Sequence, residues 1–138
     1  MESIDEAKLG KWIRECLPKV QAVWLFGSFA THEAKAESDV DLGVLLPFHS
    51  PVQPDKLSRI RTELAEKLGR SVDLIDLRKA STVLQNEVVS QGRCILELDP
   101  TAKAIFEMEN LSRWQKLNEE RRGILEEVYT SGRILSDG

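Results

Sequence analysis

The chain has 138 residues, of which 41% are hydrophobic and 30% charged, with a net charge of −4. Those values suit one globular domain with a core of ordinary size. A pI near 5.3 argues against a protein that lives by gripping nucleic-acid backbone, so no stable direct DNA binding is expected. No apolar run is long enough to span a membrane. The acidic N-terminus lacks a signal-peptide core, and Cys16 and Cys94 form no CxxC pair. The expectation is a cytoplasmic protein with reduced thiols and no membrane partner.

Taken in order, residues 3–17 read as a helix. Ser3 can cap it, Asp5 and Glu6 suit the first turn, and Leu9, Trp12, Ile13, Cys16 and Leu17 recur at spacings of three and four. Val23, Trp24, Leu25 and Phe26 are a continuous apolar run, so residues 21–26 read as a strand covered on both faces. A short helix is expected over 28–34, opening at Ser28, then a polar loop over 35–38. Residues 40–46 form a second strand, ended by Pro47. The short connection makes these two strands neighbours. Pro54 opens a helix to Leu68, with Leu57, Ile60 and Leu64 inward and Gly69 closing it. Residues 71–77 are a third strand. A helix follows over 80–91, with Val83, Leu84, Val88 and Val89 as its apolar contacts, Glu87 outward and Gly92 as its stop. Cys94, Ile95 and Leu96 make a short fourth strand. Asp99 and Pro100 then start a long helix to about Tyr129, with Gly123 a weak point inside it. The order predicts an α/β fold: a mixed sheet of about four strands flanked by helices, with a long C-terminal helix. Residues 1–98 would form the sheet domain and 99–138 a helical extension packed on it or on a partner.

Chemistry concentrates in one stretch. Gly27-Ser28 ends the first strand, and Asp39-Val40-Asp41 enters the second. Side chains alternate along a strand, so Asp39 and Asp41 share a face. Paired carboxylates repel unless a cation sits between them. A hard divalent ion such as Mg2+, which takes carboxylates together with phosphate oxygens, answers that need. A Gly-Ser turn can offer backbone N–H groups and a hydroxyl to a phosphate. Together they suggest a metal–nucleotide site. A third carboxylate would come from Asp73 or Asp76, which lie on opposite faces of the third strand. His32 and His49 have no partner at metal-ligand spacing, so a transition-metal site is not expected.

The pattern Gly-Ser-x10-Asp-x-Asp in strand–turn–strand context resembles the signature of the DNA polymerase β-like nucleotidyltransferase superfamily. The short chain and the run Ser38-Asp39-Val40-Asp41-Leu42 resemble its minimal nucleotidyltransferase (MNT) branch. Within that branch the chain is most similar to the MntA antitoxins, which partner HEPN-domain HepT toxins. The resemblance covers residues 20–98. It implies the polymerase β-like fold, with Asp39, Asp41 and Asp73 as ligands of two Mg2+ ions. Asp73 is chosen because Val72-Asp73-Leu74-Ile75 resembles the family's third site, and it is also the possible general base. Gly27 and Ser28 would hold the phosphates of ATP. The chain departs from the common Gly-Ser-Arg-Ala-Arg-Gly pattern at Phe29, Thr31 and His32. Lys35, Arg70, Arg78 and Lys79 are the candidates for the missing phosphate cation.

The resemblance implies transfer of AMP to a tyrosine of a HEPN ribonuclease toxin. A non-catalytic antitoxin that neutralises by binding is the second reading, and a small-molecule nucleotidyltransferase the third. Ile105, Met108, Leu111, Trp114, Leu117, Ile124 and Val128 form the apolar series of the last helix. It serves either packing on the sheet or a partner, with Trp114 as anchor.

Overall fold

The computed structural model describes residues 4–31, 33–35 and 38–131, with side chains described to residue 124. The elements are α1 (Glu6–Cys16), β1 (Ala22–Phe26), β2 (Val40–Leu45), α2 (Pro54–Leu68), β3 (Val72–Asp76), α3 (Thr82–Gln91), β4 (Arg93–Glu97) and α4 (Pro100–Ser131). The four strands form one mixed sheet in the order β3-β2-β1-β4. β1 runs antiparallel to both β2 and β4, and β2 runs parallel to β3. The expected mixed sheet, its flanking helices and the long last helix are all present.

Each face of the sheet carries its own core. On one side Val23, Leu25, Val40, Leu42 and Val44 pack under Leu9 and Ile13 of α1 and Ile60 and Leu64 of α2. On the other, Ala22, Trp24, Phe26 and Leu45 pack under Val88 of α3 and Phe106 of α4. All of β1 is buried, as a strand covered on both faces should be. The rings of Trp24 and Phe106 meet at 6.0 Å.

Several local expectations change. α1 starts later than residue 3: Asp5 is the cap, accepting from the Lys8 N–H at 3.1 Å, and Ser3 lies outside the described residues. The helix expected over 28–34 is a single 3-10 turn, Gly27–Phe29. In α3, Val83 is 43% exposed, while Gln85 takes the inner position. The Gln85 amide donates to the Leu77 carbonyl at 2.7 Å, and its oxygen accepts from Asn110 and Arg113 of α4. A buried amide is tolerated because its hydrogen bonds are made. Glu87 is exposed, as expected. Gly69 closes α2 in the left-handed conformation, at φ 69°. Asp99 caps α4 through the Ala102 N–H at 3.0 Å, and Gly123 does not interrupt that helix.

The apolar series of α4 divides: Trp114 and Leu117 are half-buried, Ile105, Met108, Leu111 and Ile124 are exposed, and the side chain of Val128 lies outside the described residues. Steps of three residues rotate about 60° short of a full turn, so such a series winds around the helix. Phe106 and Asn110 are buried, whereas Ile105, Met108 and Leu111 are half or more exposed.

Candidate functional site

The strand register builds the site. Phe26 of β1 pairs with Asp41 of β2 across the antiparallel ladder. Asp41 in turn pairs with Asp73 of β3 across the parallel ladder. Paired positions share a face, so the Asp41 and Asp73 carboxyls stand side by side at one edge of the sheet. Asp39 lies one residue before β2 begins. Asp76, three residues past Asp73, instead caps the next turn by accepting from the Arg78 N–H at 3.2 Å.

Gly27 follows Phe26, so the turn leaves β1 beside Asp41. Its φ is 70°, a conformation that L side chains rarely adopt. A Cβ there would overlap Asp41 Oδ2 and lie 3.2 Å from Asp41 Cγ. Glycine is therefore required both by the backbone and by the carboxylate against it. The Gly27 carbonyl accepts from the Ala30 N–H at 3.1 Å, closing the turn. The first N–H groups of a helical turn have no partner inside it, so those of Ser28 and Phe29 are available to an anion in principle. The turn is too short to supply a helix dipole of consequence.

The charges are crowded. Burial raises the Asp41 carboxyl from its ordinary 3.8 to about 6, and Asp73, Asp39 and Glu87 push it the same way. Glu87, on α3, is thus a fourth acid within electrical reach of Asp41. Sequence spacing gives no sign of this, because α3 is brought over β1, beside Asp41, only by the fold.

A divalent cation fits this donor set chemically. Hard carboxylate oxygens are its preferred ligands, and its charge would offset the burial and the like-charge repulsion that raise the Asp41 carboxyl. Among the described residues, no three acidic, histidine or cysteine side chains are already arranged to hold an ion. Mutual repulsion keeps free carboxylates apart, so tight convergence requires the ion's own charge. Cys16 and Cys94 are free, and burial pushes both thiols upward, which makes them poor nucleophiles.

The four candidate cations part company. Arg78 lies at the opposite end of β2, bonded to the Leu46 carbonyl and to Gln21 Oε1, and stacked 3.9 Å from the Phe48 ring centroid. Leu46 is five residues from Asp41, roughly 16 Å along an extended strand, so Arg78 and its neighbour Lys79 are excluded as phosphate ligands. Arg70 lies at the correct edge. Its Nη1 donates to the carbonyls of Lys35 at 3.3 Å and Ser38 at 3.2 Å. Its guanidinium sits 5.0 Å from the Phe29 ring centroid. Lys35 belongs to the same loop. His32 lies outside the described residues, and His49 is exposed in a turn after β2. At the carboxylate edge Asp73 is exposed and Asp41 half-buried. A cavity of about 290 Å³, lined by Leu17, Val20, Leu46, Val52 and Lys56 among others, lies at the far end of β2 and holds no carboxylate. No helix among the described residues is long and apolar enough to cross a membrane.

Comparison with known proteins agrees with this geometry. The sequence profile described as Polymerase beta, Nucleotidyltransferase matches residues 8–101. The chain is 37% identical over 136 residues to the protein adenylyltransferase MntA of Shewanella oneidensis, covering 95% of this chain and 92% of that protein. A crystal structure of a toxin–antitoxin with AMP-PNP matches with a TM-score of 0.78 at 33% identity, over 91% of this chain and 99% of the other. A structure of a tri-AMPylated Shewanella oneidensis HEPN toxin in complex with MNT antitoxin matches with a TM-score of 0.71 at 33% identity, over 90% and 95%.

Proposed function

The chain belongs to the polymerase beta nucleotidyltransferase family, and from that premise we propose that it transfers AMP from ATP to a tyrosine hydroxyl of a HEPN-domain toxin. The modification would silence the toxin, making this protein its antitoxin in the cytoplasm. The observation that carries the reading is the in-register pair Asp41–Asp73 set against Gly27. The relatives add the identity of substrate and partner: one structure contains AMP-PNP, and another a tri-AMPylated HEPN toxin.

Asp39, Asp41 and Asp73 would hold two Mg2+ ions. When bound, these supply positive charge to the triphosphate and favour ionisation of the attacking hydroxyl. The chain's own residues do the rest. Ser28 and the turn N–H groups orient the outer phosphates, which aims the α-phosphorus at the acceptor. The tyrosine oxygen forms the new bond to that phosphorus, the bond to the bridging oxygen breaks, and pyrophosphate leaves. Asp73, exposed at the sheet edge, is placed to take the tyrosine proton.

The exposed Asp73 at the strand ends suits a large acceptor such as a protein. We assign the outward face of α4, with Ile105, Met108 and Leu111, to holding the partner. In support, the opposite side of the same helix is sealed by Phe106 and Asn110, and exposed apolar stripes mark interaction sites. On this reading residues 1–98 carry the chemistry and 99–138 the docking.

The test is transfer of label from α-labelled ATP to the purified toxin with Mg2+, comparing this protein with Asp41→Asn. One labelled toxin band that disappears in the variant is expected. A protective effect on the toxin that survives Asp39→Asn plus Asp41→Asn at normal expression would make neutralisation a matter of binding. Label found in a small molecule instead would overturn the toxin as acceptor.

A further inference from the structure

We propose that Arg70 is a positioning residue that clamps the phosphate turn to the loop carrying Asp39; the inference rests on the transfer reading above. The two halves of the site lie on one chain but are separated by residues 30–38, which form no regular element among those described. Each freely jointed residue carries about 1–2 kcal/mol of backbone entropy when ordered. The ladders fix Phe26 and Val40, the residues next to Gly27 and Asp39, but Ser28 and Asp39 themselves lie outside them, so a further contact is needed to hold those two relative to each other.

Arg70 touches both halves with one planar group. Its Nη1 reaches the carbonyls of Lys35 and Ser38, the second of which directly precedes Asp39. Its guanidinium lies over the ring of Phe29, which directly follows Ser28 and is only 4% exposed. The loop end is itself closed: Ser38 N–H donates to the Lys35 carbonyl at 3.0 Å, and Lys35 N–H to Ser38 Oγ at 2.8 Å. Arg70 is anchored in turn. Its N–H donates to the Ala65 carbonyl, Gly69 before it turns the chain out of α2, and the next residue, Ser71, accepts from the Val40 N–H at 2.9 Å. The side chain therefore springs from fixed backbone beside the start of β2.

Arginine suits this task in a way that lysine does not. A guanidinium can serve two acceptors in its plane and stack on an aromatic ring through its face. An ammonium offers charge without that plane. The distinction separates a clamp from a simple phosphate cation, since a phosphate cation could be either residue.

The test pairs amide hydrogen exchange over residues 29–39, measured without nucleotide, with transfer kinetics for Arg70→Ala, Arg70→Lys and Phe29→Leu. For Arg70→Ala, exchange in that segment should speed up by about tenfold or more, as expected when a local ordering contact is lost. Its kcat should fall roughly tenfold to a hundredfold through misplacement of reacting groups, with KM for ATP little changed. Arg70→Lys should restore neither property. Phe29→Leu should loosen the same segment and add little on top of Arg70→Ala, since the two act as one unit. Restoration by Arg70→Lys, or a rise in KM alone with loop exchange unchanged, would overturn the clamp. Arg70→Lys is the decisive variant even where Arg70→Ala fails to fold. If the wild-type protein transfers no nucleotide, the functional reading falls, and the exchange result alone decides the clamp.

Discussion

Neutralising Asp41 should make the metal-free protein more stable while removing its activity. Burial, and then the charges of Asp73, Asp39 and Glu87, raise this carboxyl from 3.8 to about 6 in the folded chain. Moving a carboxyl from 3.8 to about 6 corresponds to about 3 kcal/mol of unfavourable interaction with its charged form. Asp41 is only half-buried, so solvent screening reduces this to about 1–2 kcal/mol. The sign follows from proton linkage. Between pH 3.8 and 6 the folded state binds the proton better than the unfolded state, so wild-type stability rises as pH falls through that window. Above about 6 the penalty is fully present. Asp41→Asn has no such penalty. In EDTA at pH 7.5 it should therefore melt about 3–8 °C higher than wild type for a chain of this size. The two should converge as the pH approaches 4. Mg2+ should raise the wild-type melting point at pH 7.5 and do little for the variant. Thermal unfolding followed by circular dichroism across pH 4–8 measures all of this. A variant that is no more stable than wild type at pH 7.5, or a gap that ignores pH, would refute the electrostatic account of the site.

Three further outcomes follow from individual contacts. Gly27→Ala should fold but lose transfer activity by roughly a hundredfold, because its Cβ would displace the Asp41 carboxylate and misplace the reacting groups; retained activity would show that the carboxylate can move at no cost. Gln85→Ala should cost about 1 kcal/mol in urea unfolding, since it removes one hydrogen bond to the Leu77 carbonyl and those from Asn110 and Arg113, while the Leu77 carbonyl keeps the Ala80 N–H and Asn110 keeps the Thr82 carbonyl. Gly123→Ala should lengthen the life of the distal α4 helix and add up to about 1 kcal/mol, because nothing lies within 4 Å of the new methyl group; helix content by circular dichroism reports it.

The fold was legible because each element carries its own local signal. Pro54 and Gly69 bracket α2, Asp99 and Pro100 start α4, and the unbroken apolar run of β1 announces a central strand. The neighbouring of β1 and β2 follows from the shortness of their connection. The meeting of Gly27 with Asp41 then follows from their register, in which Phe26 faces Asp41. Asp73 was harder, because its strand arrives from thirty residues away and the sequence offered Asp76 as a rival. Strand parity allows only one of the two, the resemblance of Val72-Asp73-Leu74-Ile75 to the family's third site favours Asp73, and the parallel ladder pairs Asp41 with Asp73.

What escaped the sequence has a common physical origin. The three-residue steps of the apolar series suggest one face of α4, yet the buried positions are Phe106 and Asn110, continued at steps of four and three by the half-buried Trp114 and Leu117. A polar residue was inside, and apolar ones were outside. No sequence signal marks Gln85 and Asn110 as buried, because a buried amide is intelligible only once its hydrogen-bond partners are known. The sequence makes Arg70 one of four candidate phosphate cations, because it displays charge and hides geometry. Its role is set by two carbonyls and a ring drawn from other parts of the chain. Backbone carbonyls belong to every residue type, so no pattern of side chains could have pointed to them. The same holds for Glu87, which acts on Asp41 only because α3 crosses the sheet beside it. Candidate residues for the reactants are visible through their chemistry, whereas residues that hold those in place become visible only through the fold.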